Sequence, residues 1–180
     1  MGRQGYGLQE DDYLCGPASL QRAFRQYGVR LSQTRIAEAC GTEIDEGSGD
    51  EEIHRGILHF GFSLDPYETD VWNEGINWLD DCITRGLPVL LCVDDWSHWV
   101  CVYGALGSRT YMKYNVFDPG NFDWNKEEYG HNMYTEKSLI RRWRCSKRAR
   151  VEMDMEESLA YGGIAVYDRS KDTRGSEEAE

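Results

Sequence analysis

Four residues whose types suit acyl transfer follow one another along the chain: Gln9, Cys15, His98 and Asp118. Cys15 opens the run Cys15-Gly16-Pro17-Ala18-Ser19-Leu20, which reads as the start of an amphipathic helix. A thiol at a helix N-terminus meets N–H groups without intrahelical partners and the positive end of the dipole, and both favour the thiolate. The thiolate is the form that attacks a carbonyl carbon. Gln9 lies six positions upstream, where its side-chain amide can join the Cys15 backbone N–H as a second donor to a tetrahedral oxyanion. His98 precedes the strand-like stretch Trp99 to Gly104, and an imidazole with an ordinary pKa near 6.5 suits proton exchange with a thiol. Asp118 ends the next strand-like stretch, a position from which a carboxylate can fix the imidazole tautomer and stabilise imidazolium.

Each of these residue types also has a bland role. Cys40, Cys82, Cys92 and Cys101 fall inside apolar helix or strand faces and read as inert core thiols. Cys15 differs because it follows Asp11 and Asp12 at a helix start. His54, His59 and His131 read as surface or internally satisfied residues; His54 and His59 are five apart, which does not place two metal ligands on one helix face. Asp118-Pro119-Gly120 is also an ordinary turn sequence, and Asn115, Asp94 and Asp95 are weaker candidates for orienting His98. The six cysteines form no CxxC pair and no histidine stands at metal spacing, so neither a metal site nor a cofactor is expected.

The elements that must position these groups are legible from periodicity. Helices are expected over Cys15–Tyr27 with Gly28 as the stop, from a Ser32 cap through Cys40, from an Asp50 cap through Phe60, and over Asn73–Arg85. Strands are expected over Phe62–Tyr67, Val89–Val93, Trp99–Leu106, Tyr111–Phe117 and Ile164–Tyr167. Helices crowd the first half and strands the second, an α+β pattern in two packed layers. Residues 1–170 read as a single catalytic domain and 171–180 as a flexible acidic tail.

The 180-residue length gives one domain room for a core without disulfides, and 40% apolar with 12% aromatic content is that of a folded protein. A net charge of -12 argues against a general nucleic-acid role. No apolar run is long enough to span a bilayer, and the first residues lack a signal-peptide core, so a cytoplasmic location with reduced thiols is expected. Non-classical export as an effector is compatible with the same features.

Together, Gln9, Cys15-Gly16-Pro17-Ala18-Ser19-Leu20, Pro88-Val89, His98-Trp99-Val100 and Asp118-Pro119 resemble the papain-like cysteine peptidase superfamily, and most closely its C39-like branch. The resemblance covers about residues 8 to 120, with its most specific block around Cys15. It implies a papain-like fold, with an N-terminal helical half packed on a C-terminal antiparallel sheet. It also implies roles: Cys15 as nucleophile, His98 as base and then acid, Asp118 as its orienter, and Gln9 in the oxyanion hole. A peptide or protein would be the substrate, cleaved at a peptide or isopeptide bond through a thioester. Family members that trim double-glycine leaders are usually fused to a transporter, which this chain does not contain, so leader processing does not carry over.

The same thioester resolved by an amine would make an acyltransferase or transpeptidase, and a glutamine side chain as donor would make a deamidase. A binding or regulatory module on a papain-like scaffold is the rival from outside enzymology. Residues 121–160 have no counterpart in the resemblance. They include the basic run Arg141 to Arg150, six cations in ten residues, which reads either as a face paired with Glu152, Asp154, Glu156 and Glu157 or as a docking patch for an acidic partner. Trp96 and Trp99 flank His98 and could wall a substrate cleft.

Overall fold

A computed structural model describes residues 8–108, 111–123, 128–153 and 160–168. The acidic tail expected over 171–180 and the pairing partners Asp154, Glu156 and Glu157 lie outside the described residues. Three helices come first: α1 (Cys15–Gln26), α2 (Gln33–Cys40) and α3 (Asp50–His59). Then follow β1 (Ser63–Thr69), α4 (Trp72–Thr84), β2 (Val89–Val93), β3 (His98–Leu106), β4 (Lys113–Asp123), β5 (Glu128–Thr135), α5 (Glu136–Trp143), α6 (Lys147–Glu152) and β6 (Tyr161–Tyr167).

The strands form one antiparallel sheet in the order β1-β6-β2-β3-β4-β5. Both of its faces are covered. Leu90 and Cys92 of β2, with Trp99 and Cys101 of β3, pack under α1, α2 and α3 together with Phe24, Ile36 and Ile57. Val89, Leu91 and Val93 turn the other way, into a second core with Leu79 of α4 and Leu139 and Trp143 of α5. All five β2 residues are therefore buried, which is why Val89–Val93 reads as an unbroken apolar run. Each such side chain removed from water stabilises the fold by about 1.5–3 kcal/mol before entropy is counted. The two layers expected from the sequence become three, because α4 and α5 cap the face opposite α1.

Local differences have local causes. The cap of α3 is Gly49 rather than Asp50, because Glu52 reaches back to accept the Gly49 N–H at 3.2 Å. Strand β4 runs through Asp118, Pro119 and Gly120 instead of ending before them; a shift of register between Phe117 and Phe122 absorbs the proline, which has no N–H to give the ladder. The expected turn is thus a bulged strand. Ser32 caps α2 as expected, accepting the Arg35 N–H at 3.2 Å.

Candidate active site

Cys15 is the first residue of α1, and Ser19 lies one turn on along the same helix face. The Ser19 hydroxyl donates to the Trp99 carbonyl at 3.0 Å, and the Trp99 indole N–H donates to the Ser48 carbonyl at 2.8 Å. These two bonds tie the start of β3 to α1 and to the loop before α3, and so bring His98 to Cys15. Gly16 allows the close approach on the other side: a Cβ there would lie 2.8 Å from Ile53 Cδ1 and 3.2 Å from Ser48 Cβ.

His98 Nε2 is 2.7 Å from Asp118 Oδ1. With Nε2 committed to the carboxylate, Nδ1 is the nitrogen left for the thiol. Asp118 is 3% exposed, and its oxygens are well supplied with donors. Oδ1 also accepts the Gly120 N–H at 3.2 Å, and Oδ2 accepts from Arg142 at 2.6 Å. Gly120 lies against the imidazole edge, where a Cβ would stand 3.2 Å from His98 Cε1.

These contacts set the charges. Burial raises the Cys15 thiol, but hydrogen bonds from His98 and from the Trp99 and Gly16 backbone outweigh it and leave the thiol below its ordinary value. Burial lowers His98, yet hydrogen bonds to Asp118 and Cys15 prevail and raise it to about 9. Burial raises Asp118, and the bonds from His98 and Arg142 overcome that to hold it below the usual carboxylate range. The Cys15 and His98 shifts run in opposite directions and together favour a thiolate–imidazolium pair backed by a carboxylate. The other five cysteines behave oppositely. All are buried, and burial pushes Cys40 and Cys101 up to about 12 and Cys82 to about 11, with Cys92 and Cys145 also raised.

Gln9 is held beside this set. Its backbone N–H donates to the Pro119 carbonyl at 3.0 Å, next to Gly120, and its side-chain Nε2 donates one hydrogen to the Asp12 carbonyl at 2.9 Å. That amide nitrogen carries a second N–H besides the one given to Asp12. Its Oε1 is buried and has no hydrogen-bond partner among the described residues.

Arg142 belongs to the basic run that the sequence leaves either as a paired face or as a docking patch, and the fold takes it inside. Its guanidinium spans two carboxylates, donating through Nε to Asp94 Oδ1 at 2.9 Å and through a second nitrogen to Asp94 Oδ2, while a third reaches Asp118 and the Tyr134 hydroxyl at 2.8 Å. Such fork-to-carboxylate bonding is what a planar guanidinium does well. Asp94, read as an alternative orienter of His98, instead anchors Arg142, and its own N–H donates to the Arg142 carbonyl at 2.7 Å. One signal for Arg142 was in the sequence: Leu139 and Trp143 are four apart and apolar, so residue 142 adjoins the buried face of α5.

The sequence matches no protein-family model, and no curated protein matches it. Solved structures do resemble it. The peptidase domain of Streptococcus ComA, a bifunctional ABC transporter involved in a quorum-sensing pathway, superposes with TM-score 0.58 at 16% identity over 91% of this chain and 97% of that one. A double-glycine motif protease from an AMS/PCAT transporter, solved with its leader peptide, gives 0.57 at 15% identity over 88% and 87%. A C39-like peptidase from Bacillus anthracis gives 0.60 at 11% identity over 91% and 94%. The fold is the papain-like fold of C39 peptidase domains.

On this papain-like scaffold two hollows lie side by side, and Cys15 lines one of them. The first, about 430 Å³, has Cys15, Tyr13 and Ser48 in its walls, and the second, about 370 Å³, reaches Cys92 and Gly162; Trp96 and Trp99 border both. Trp99 is 4% exposed and belongs to the core, whereas Trp96 is half-buried at the boundary between the hollows. Trp96 ends three successive residues with left-handed backbone, Asp94, Asp95 and Trp96, at φ of 55°, 57° and 63°. Such a run costs roughly 1–3 kcal/mol per residue and needs external support. Arg142 supplies it at Asp94, and Asp95 accepts the Ser146 N–H at 2.7 Å.

The rest of the basic run is divided. Arg148 pairs with Glu152 at 2.8 Å and Arg150 with Asp70 at 3.4 Å. Arg141, Arg144 and Lys147 are exposed and, with Lys137, edge a separate groove of about 830 Å³. Among the described residues no group of three or more His, Cys, Asp or Glu could hold a metal ion, and no helix is long and apolar enough to cross a membrane.

Proposed function

We propose that this chain is a cysteine-dependent hydrolase, with one catalytic domain over residues 1–170, that cleaves a peptide or isopeptide bond in a peptide or protein. The single observation that carries the proposal is the continuous line of contacts Cys15–His98–Asp118–Arg142, in which one thiol of six is depressed and the other five are raised. The Cys15 thiolate attacks the carbonyl carbon, forming a C–S bond as the π electrons move to oxygen. The Cys15 N–H and the Gln9 amide receive that oxyanion. The tetrahedral centre collapses, the C–N bond breaks, and His98 gives its proton to the leaving nitrogen. Water, deprotonated by the now neutral His98, attacks the thioester; the C–S bond breaks and the ion pair is restored. Asp118 keeps the imidazole oriented throughout.

The test is alkylation of the native protein by iodoacetamide across pH 4 to 9, with the modified cysteine located by mass spectrometry, in wild type and in His98→Ala. Fast labelling of Cys15 below pH 7 that collapses in the variant is the expected result. Labelling no faster than that of an ordinary thiol, and indifferent to His98, would make the scaffold a binding or regulatory module instead. Release of the acyl group to water as against capture by hydroxylamine or another amine separates the hydrolase from a transferase; ammonia release from glutamine peptides would mark a deamidase. Five buried, unpaired thiols fit the reducing interior of a cell, and we place the protein in the cytoplasm on that ground. The exposed cations of α5 and α6 fit an acidic partner.

A further inference from the structure

The hollow at Cys15 and its neighbour across Trp96, taken together as one cleft, are both edged by carboxylates. Asp12, Asp45 and Glu46 border the hollow at the thiol, and Asp50, Glu51, Glu52 and Glu68 border the one beyond it. Among the described residues no lysine, arginine or histidine lines either hollow. Glu52 is committed to the Gly49 N–H and to Arg55, at 3.2 and 3.5 Å. Glu68 is exposed and stands in β1 directly across from Gly162 of β6.

That glycine marks a defined space. A Cβ on Gly162 would lie 3.8 Å from Trp96 Cζ2 and 3.9 Å from Glu68 Cγ, ordinary contact distances on both sides. Its neighbour Gly163 is different: a Cβ there would meet Leu91 at 2.8 Å and the Leu90 carbonyl at 3.1 Å, so that glycine serves strand packing. Gly162 instead leaves a slot one side chain wide, with an indole on one wall and a carboxylate on the other. Trp96 is fixed there by the braced left-handed turn, and among the described residues its buried indole N–H has no partner. An aromatic wall beside a carboxylate suits a long aliphatic stem that ends in a cation, because the stem covers apolar surface while the charge is met.

We propose that the substrate segment lying along this cleft carries a lysine or arginine, whose stem lies against Trp96 over Gly162 and whose charge is met by Glu68. This assignment rests on Cys15 being the nucleophile at the head of the cleft. The experiment is protection of Cys15 from iodoacetamide by nonapeptides of glycine and alanine that carry lysine, leucine or glutamate at alternate positions. The lysine peptide is expected to half-protect Cys15 at a concentration about fivefold to tenfold below that of the leucine peptide, with the glutamate peptide weakest. Glu68→Gln erases the lysine advantage, and Gly162→Val weakens the lysine and leucine peptides together. Glu136→Gln, which changes the net charge equally but lies on α5, leaves the order intact. The labelling rate without peptide stays the same in all three variants. Equal protection by the three peptides, or a lysine advantage that survives Glu68→Gln, overturns the proposal. Slow labelling of Cys15 without peptide would sink the catalytic reading by itself, while protection by the peptides stays measurable.

Discussion

The cleft beside Cys15 and the groove beneath α5 sit on either side of one turn and carry opposite charge. Trp96 of that turn walls the cleft, and Asp95 walls the groove. In the cleft, exposed carboxylates surround aromatic walls and the Cys15 thiol. In the groove, Lys137, Arg141, Arg144 and Lys147 surround Trp72, Ile140 and Tyr161. Arg141 and Arg142 are adjacent in sequence but about 100° apart on α5, so one faces solvent and the other crosses beneath the turn to Asp118. A run of like charge along a chain is therefore not one surface in space. The helix deals its members to different neighbours, and one of them becomes part of the electrostatics of the other region.

The sharpest way to separate the two regions is at their centres. Cys15→Ala removes turnover, and His98→Ala lowers it about a thousandfold, by analogy with the effect of losing a general base. Reversing charge in the groove with Arg141→Glu or Lys147→Glu changes turnover by less than about twofold. A groove variant that lost activity as His98→Ala does would merge the two regions into one site.

Arg142 is the member that crosses over, and its substitution should resemble the cleft rather than the groove. Arg142→Gln leaves the nearly buried Asp118 without its second partner and the Asp94 turn without its brace. A destabilisation of about 3 kcal/mol is expected in urea or thermal unfolding, against less than about 0.5 kcal/mol for Arg141→Gln. Turnover falls with it, and Arg142→Lys restores only part, since one ammonium cannot span Asp94 and Asp118 together. Equal effects from positions 141 and 142 would break the comparison.

A pH series sharpens it further. His98 is raised from 6.5 to about 9, so its contribution to stability is complete below pH 6.5 and is lost as pH rises through about 9. Asp118 is lowered, so its contribution is complete above the ordinary carboxylate range and is lost as pH falls through its depressed value. The lowered Cys15 thiol contributes in the opposite sense over the same range, so the His98 loss is read in a Cys15→Ala background. Thermal unfolding of Cys15→Ala between pH 6.5 and 9.5 should show a loss of stability that Cys15→Ala with His98→Gln lacks. The alkaline limb of turnover should centre near pH 9, where His98 loses the proton the leaving nitrogen needs. The smallest effect belongs to the groove: the Arg141→Glu and Lys147→Glu proteins keep the wild-type pH profile, because neither residue touches Asp118 or His98.

Much of this site was legible in the chain because its parts are local. Cys15 starts a helix whose periodicity is plain, His98 adjoins an apolar strand, and Asp118 follows the next one at a regular interval. Asp118 was read at a turn because Asp-Pro-Gly usually makes one; only the register shift against β5 shows that it lies within a strand. The parts that could not be read are those set by long-range geometry. The Arg142–Asp118 pair joins residues 24 apart across α5 and β4, and the Gly162 slot joins β1, β6 and the β2–β3 turn. Nothing in the spacing of Glu68, Trp96 and Gly162 announces that they meet. The second face of the sheet was missed for a related reason: α4 was expected, but α5 was hidden inside what looked like a charge run.

Strand β6 has one further consequence, for the order in which the molecule is made. Among the described residues it is the last strand in sequence, yet it lies between β1 and β2, pairing Tyr161–Tyr167 with Thr69–Ser63 on one side and Gly163–Ala165 with Leu91–Val89 on the other. While a ribosome is still short of that segment, β1 and β2 are both open edges with no partner between them, and a half-made sheet of this kind tends to stick to its neighbours. The helix that carries the thiol emerges early, whereas the strand that closes the sheet and the arginine behind Asp118 emerge late. If Cys15 is the proposed nucleophile, its thiol stays ordinary in the nascent chain, because His98 and Asp118 are set beside it only as the sheet closes.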